Sequence, residues 1–240
     1  MKQLIVDIGN SRIKTGKFEG TELLEEVVFS DLKGLKSYAE QLSIDAAIIS
    51  SVRYDEATLQ EELGFPFHYL NVHSKVPFTN NYGTPHTLGV DRKAALAGAR
   101  AFFEDKPVLV IDLGSCITYD VLDASDTFSG GSISPGLSMR FQAMHQQTAR
   151  LPLTNLSKGS LPHLSGESTL ACMQSGVYYG ILHEMEGFIR QYSMRYPDLN
   201  VIICGGDSFF FETLTKDHIF VIPNLVLYGL NRILLDNVAL

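Results

Sequence analysis

Three cysteines, Cys116, Cys172 and Cys204, are all that the 240 residues carry. They are widely spaced and odd in number, with no Cys-x-x-Cys pair. That excludes a disulfide framework and an evident zinc site, and it fits a reducing compartment. The seven histidines show neither H-E-x-x-H nor H-x-x-E-H spacing, so each reads as a surface or packing residue rather than a metal ligand. Basic residues are also short, with 19 Lys and Arg against 27 Asp and Glu for a net charge of -8. A phosphate-backbone binder needs a basic face, so no nucleic-acid partner is expected. No uncharged apolar run approaches the length of a membrane span, and no leader-like segment precedes the first strand. A cytoplasmic setting without a membrane partner is expected. What is present is ordinary for a globular protein: 45% hydrophobic and 19% charged residues, in a chain long enough for one large domain or two small ones.

Two stretches say nearly the same thing. Leu4-Ile5-Val6-Asp7-Ile8-Gly9-Asn10-Ser11 and Leu109-Val110-Ile111-Asp112-Leu113-Gly114-Ser115-Cys116 each run through apolar residues to Asp, then apolar, Gly and a small polar residue. Each reads as a buried strand ending in a tight turn. A carboxylate at such a strand end, beside a Gly whose missing Cβ lets backbone approach a ligand, suits Mg²⁺ and phosphate. Either copy alone is a common turn. Together, each continuing into a second extended segment, they point to an internally duplicated α/β nucleotide-binding fold. The acidic balance does not oppose ATP, since backbone N–H groups and one metal ion can hold a small anion.

Residues 2 to 18 read as a hairpin, Ala46 to Val52 as a strand and Phe67 to Leu70 as another. A polar loop, Thr79 to Pro85, leads to Gly89-Val90-Asp91-Arg92 and an Ala-rich helix over 93–103. Pro107 punctuates the chain before the second Asp-x-Gly strand, so the halves are placed at 1–105 and 106–240. In the second half Ile117 to Leu122 returns as a strand, and Ser129 to Gly136 reads as the most Gly-rich loop. Leu170, Met173, Val177, Ile181, Met185 and Phe188 recur at helical spacing, which predicts a long amphipathic helix from 168 to about 195. Val177, Tyr178 and Tyr179 widen its apolar stripe, so it is either a candidate dimer surface or a helix that simply covers the sheet of the second half with its aromatic residues packed inside. Val201 to Cys204 is a strand ending in Gly205-Gly206-Asp207, a turn that could also bare backbone to a flat ring such as adenine. A last helix spans roughly 225–238.

Asp7, Gly9, Asn10, Ser11 and Lys14 share the first hairpin: the turn could bind the β- and γ-phosphates, Asp7 could hold Mg²⁺ and Lys14 could neutralise phosphate charge. Asp112, Gly114, Ser115 and Thr118 repeat the arrangement, and if the halves face each other the two turns form opposite jaws of a nucleotide cleft. Asp120 is a further candidate oxygen ligand, though a solvated strand-end carboxylate is the preferred reading of it. Asp91 has two readings, a charge that favours the positive end of a helix or a base that orients a substrate hydroxyl, with Arg92 binding an anionic group beside it.

The order of these motifs resembles one family. Asp7-Ile8-Gly9-Asn10-Ser11-Arg12-Ile13-Lys14, then Tyr82, Leu88-Gly89-Val90-Asp91-Arg92, Asp112 to Asp120, Gly130 to Gly136, Thr148 to Pro152 and Gln174-Ser175-Gly176 look like type III pantothenate kinase, a family of the acetate-kinase, sugar-kinase, Hsp70 and actin superfamily. The resemblance implies a duplicated actin-like (ribonuclease H-like) fold and phosphorylation of pantothenate by ATP with Mg²⁺, in the first step of coenzyme A synthesis. It also implies that Asp7, Ile8, Gly9, Asn10, Ser11, Arg12, Ile13, Lys14 and Ser115 contact ATP. Tyr82, Gly89, Val90, Asp91, Arg92 and Thr169 would contact pantothenate, with Asp91 the proton acceptor. Asp112 would bind the monovalent cation, K⁺ or NH₄⁺, and the active site would lie at a homodimer interface. Ser stands at positions 11 and 115 where Thr is usual, keeping the hydroxyl and losing a methyl. The competing reading is a non-catalytic nucleotide-binding regulator on the same fold. The presence of Asp7, Asp91 and Asp112 speaks against it.

Overall fold

A computed structural model describes residues 1–10 and 12–238. The chain divides into two compact units, one of residues 1–104, 126–129 and 224 onward, the other of residues 105–125 and 130–223. Both are built on the same strand plan. In the first, β1 (Lys2–Ile8), β2 (Ile13–Glu19), β3 (Glu22–Phe29), β4 (Ala46–Ser51) and β5 (His68–Tyr69) make a sheet in the order β3-β2-β1-β4-β5. After β6 (Thr79–Asn80), β7 (Val108–Leu113), β8 (Cys116–Leu122), β9 (Thr127–Pro135), β10 (Asn200–Cys204) and β11 (Ile219–Val221) follow in the order β11-β10-β7-β8-β9. Thus β1 and β7 are equivalent: each pairs antiparallel with the next strand and parallel with a later one. β6 adds to the second order by pairing Thr79 with Thr127 and Asn80 with Phe128, in the short stretch of β9 that packs with the first unit.

Covering both faces of a sheet demands a continuous apolar strand, and β1 supplies it: Leu4, Ile5, Val6 and Ile8 are all fully buried. On one face of the first sheet lie α1 (Leu32–Ala39) and α2 (Glu56–Leu63). Asp31 and Asp55 start these helices by accepting from the Gly34 and Thr58 amides, as N-caps do. α3 (Val90–Phe102) packs with α6 (Leu225–Val238) at near-backbone contact. A β-carbon on Gly229 would run into the Ala94 carbonyl, and one on Gly98 into that of Leu225. This contact draws residues 224–238 into the first unit, whereas the sequence reading placed them with the second half. Chain order alone misses such a return.

In the second unit α4 (Leu137–Gln147) and the long α5 (Thr169–Arg195) cover the sheet. Met173, Val177, Ile181 and Met185 turn inward from α5. Tyr178 is buried too, its ring stacked on Phe211 with centroids 5.2 Å apart. The broad stripe read as a dimer surface is therefore spent, at Val177 and Tyr178, on this unit's own core. The stretch 129–136 is also corrected, since residues 129–135 belong to β9 and Gly136 caps α4. Its glycines mimic a loop, but Gly131 is required because the Tyr119 carbonyl and the Asp120 carboxylate fill the space of its β-carbon. β3, α1 and α2 went unread in the sequence. Among the described residues no helix is long and apolar enough to cross a membrane.

Candidate active site

The end of β1 carries the first turn. Asp7 stands in register with Lys14 on β2 and Ser50 on β4, so the three side chains leave the same face of the sheet. The Gly9 amide donates to the Arg12 carbonyl at 3.1 Å and closes the hairpin. Ile8 and Ile13 bury their side chains completely, which leaves only their backbone for a nucleotide, while Asn10 and Arg12 are exposed. Ser11 lies outside the described residues. Burial pushes the Asp7 carboxyl up to about 6, Lys14 pulls it down and the charge of Asp91 pushes it up again. Asp7 and Asp91, 84 positions apart in sequence, therefore share one electrostatic neighbourhood.

Asp91 is exposed in the first turn of α3. Its Oδ1 accepts from the Arg92 amide at 2.8 Å and overlies Gly89, in the space that a β-carbon there would take. No side chain caps this helix at its N-cap residue Gly89. The Asp91 carboxylate thus sits at the positive end of the helix, the placement expected of a helix-start charge. The side chain of Arg92 is buried, with its guanidinium carbon 5.5 Å from the Tyr82 ring centroid and 5.8 Å from that of Phe128. The two rings stack at 5.8 Å and 20°. Phe128 was not singled out in the sequence, because it lies on a strand far from the Tyr82 loop and no motif marks it.

The second turn repeats the first. Asp112 is in register with Thr118 on β8 and Cys204 on β10, and the Gly114 amide donates to the Cys116 carbonyl at 3.1 Å. Two further glycines press on it. A β-carbon on Gly205, whose φ is +91°, would strike the Asp112 carboxylate and the Leu113 backbone; one on Gly136 would strike the carbonyls of Gly114 and Ser115. The Asp112 turn is thus a cradle of bare backbone with Ser115 exposed beside it. Gly205 ends β10 in a plain turn, the Ser208 amide donating to its carbonyl at 3.3 Å. Asp120 is not a solvated strand end. It lies inside β8, only 2% exposed, because β9 closes over it. Thr169 opens α5, exposed, next to the Ser168 cap that accepts from the Ala171 amide.

Among the described residues no three His, Cys, Asp or Glu side chains gather as a metal cluster. Single carboxylates such as Asp7 and Asp112 suit a cation that takes its other ligands from water, backbone and phosphate oxygens, as Mg²⁺ on a nucleotide does.

A sequence model of type III pantothenate kinase matches residues 3–191. The chain belongs to the type III pantothenate kinase family. The type III pantothenate kinase of Cytophaga hutchinsonii is 41% identical to it over 235 residues, 98% of this chain and 99% of that one. Among solved structures, a conserved putative Baf family transcriptional activator from Campylobacter jejuni has the same fold, with a TM-score of 0.64 at 22% identity, covering 99% of this chain and 100% of that one. A putative 2-dehydro-3-deoxygalactonokinase from Sinorhizobium meliloti aligns at a TM-score of 0.59 and 16% identity, over 99% and 100% of the two chains. The duplicated strand order is that of the actin-like kinase fold, and this family member is an enzyme, a kinase.

Proposed function

We propose that this chain transfers the γ-phosphoryl group of ATP to the primary hydroxyl of pantothenate, giving 4′-phosphopantothenate in the first step of coenzyme A synthesis. The observation that carries this reading is the placement of Asp91 at the start of α3, in electrostatic reach of Asp7 and next in sequence to the aromatic-bound Arg92. Phosphoryl transfer asks for in-line positioning and charge neutralisation more than for covalent work by the protein. A primary alcohol is too weak an acid for a carboxylate to ionise it in the ground state. Asp91 therefore orients the hydroxyl and takes its proton late, as the new oxygen–phosphorus bond forms and the bond to the ADP oxygen breaks. Arg92 and Tyr82 hold the acceptor, the Arg92 guanidinium serving its carboxylate end.

Asp7, the backbone from Ile8 to Ile13 and Lys14 are assigned to the ATP phosphates, with Ser115 a further contact. Mg²⁺ accompanies the nucleotide and neutralises its phosphate charge, and Asp112 is assigned to K⁺ or NH₄⁺. The working form is a cytoplasmic homodimer whose sites include Thr169 of the second protomer. What supports the dimer here is the trio of exposed leucines close to Thr169 in sequence, Leu161, Leu164 and Leu170.

An ADP-release assay with and without pantothenate, in K⁺ and in Na⁺ buffer, tests the reading. Pantothenate-dependent release that rises sharply in K⁺ is expected, and Asp91→Asn should lower turnover by roughly two to four orders of magnitude while both substrates still bind. No release with pantothenate under any cation would overturn it in favour of a nucleotide-binding regulator.

A further inference from the structure

Residues 126–129 group with the first unit, and they meet the loop that carries Tyr82. The Asp126 carbonyl accepts from the Thr79 amide at 2.7 Å, and the Phe128 carbonyl accepts from the Asn81 amide at 2.8 Å. Between these bonds Asn80 turns its side-chain oxygen to the Tyr82 amide at 3.1 Å. Asp126 takes a positive φ of 57° and ion-pairs with the buried Arg100 of α3, which also donates to the Phe103 carbonyl. The short strand is therefore latched to α3 at one end and to the Tyr82 loop along its length. Phe128, fully buried, puts its ring edge-on to Phe78 and nearly parallel to Tyr82, with the Arg92 guanidinium over both faces' aromatic pair.

We infer that Phe128 is a positioning residue of the acceptor site: its ring fixes the side chains of Tyr82 and Arg92 in their substrate-binding pose before the substrate arrives, and the Arg100–Asp126 pair holds Phe128 in place. The inference rests on the pantothenate kinase reading for what Arg92 and Tyr82 bind. An arginine and a tyrosine free to sample rotamers lose that freedom on binding, and a ring beneath both removes the cost in advance. Phe128 meets Tyr82 and Arg92, both assigned to the acceptor, so the effect is expected on the acceptor rather than on ATP.

Phe128→Met keeps most of the volume and removes the ring. The expected result is a rise of at least ten-fold in KM for pantothenate, with KM for ATP, Mg·ADP binding and kcat at saturating pantothenate within about two-fold of wild type. In the free protein, the ¹H–¹⁵N spectrum should show the Arg92 side-chain Nε–H moving downfield as it loses the ring current of Phe128. Asp126→Asn, a surface change that loosens the latch without touching the ring, should raise the same KM several-fold, and it decides the matter if Phe128→Met does not fold. An unchanged pantothenate KM with an unmoved Arg92 signal overturns the inference, as does an equal loss in both KM values. If the wild type does not turn over pantothenate, the function fails, and the Arg92 signal alone still tests the positioning role.

Discussion

The carboxylate of Asp91 lies in the space where a β-carbon on Gly89 would stand. Gly89 has φ of -55° and ψ of 136°, a conformation any residue adopts, so the backbone does not call for glycine there. The neighbouring side chain does. An alanine would push the flexible end of Asp91 aside and leave the fold alone. Gly89→Ala should melt within a few degrees of wild type yet lose about 10- to 100-fold in turnover, the scale of an ångström-sized misplacement. Added to Asp91→Asn it should cost nothing more. Normal turnover in Gly89→Ala would show that the carboxylate has no need of that pose.

Asp7 should reveal itself in the stability of the free protein. Its folded pKa, about 6, is raised above the ordinary 3.8, so the fold favours the protonated form. Stability must then fall as pH rises from about 4 to about 6, with the full cost present above that window. Asp7→Asn removes the titration. At pH 8 the variant should be more stable by about 1–3 kcal/mol, the worth of raising the carboxyl from 3.8 to about 6 less the screening by solvent. At pH 4 the gain should vanish, and kinase activity should be lost throughout. Denaturant melts at the two pH values check this, and equal stabilities at pH 8 would mean that Asp7 bears no burial cost.

Sequence carried the two Asp-x-Gly turns, the hairpins behind them and α5, because strand ends and helical stripes are local patterns that neighbouring residues repeat. It placed Asp7, Asp91 and Asp112 on the right kinds of element. What it missed depends on contacts across long stretches of chain. Phe128 meets Tyr82 and Arg92 only after β9 pairs with β6. Residues 224–238 join the first unit only because Gly98 and Gly229 let two helices touch backbone to backbone. β9 reads as a loop for a related reason: Gly131 answers to a carbonyl and a carboxylate of β8 rather than to local turn geometry. α1 and α2, short and largely polar, offered too little periodic signal to stand out.

Glu184 on α5 ties three elements of the second unit together. Its carboxylate accepts from the Tyr119 hydroxyl at 2.8 Å, the Ser134 hydroxyl at 2.5 Å and the Arg140 guanidinium at 2.5 Å. Burial pushes its pKa up, but these three bonds and the Arg140 charge outweigh burial and hold it below the usual 4.5. The group therefore adds stability that is present above the unfolded value near 4.5 and is lost as pH falls through the lower folded value. Glu184→Gln should cost about 1–3 kcal/mol at pH 7, the worth of hydrogen bonds to a charge. The deficit should shrink as the pH is taken below 4. A deficit that stays constant with pH would assign the loss to packing alone.

The proposed shared site makes a sharper demand than any single variant. Asp91 and Thr169 belong to different compact units, and Thr169 is exposed at the head of α5, with Leu170 next to it and Leu161 and Leu164 exposed on the segment that leads into the helix. Leucines exposed by 45%, 67% and 45% at 161, 164 and 170 are apolar side chains that a second copy of the chain could cover. If that copy brings its Thr169 to pantothenate, Asp91→Asn and Thr169→Arg chains should each be inactive alone. In a mixed dimer one site then carries both defects and the other carries neither. Subunit exchange should therefore restore activity, up to about one quarter of the wild-type value in an equal mixture where half the dimers are mixed and each has one intact site. A fully active monomer in sedimentation, or no recovery in a mixture shown to have exchanged, would remove the shared site. The Asp91 chemistry would stand in either case, because it depends on α3 and β1 of a single chain.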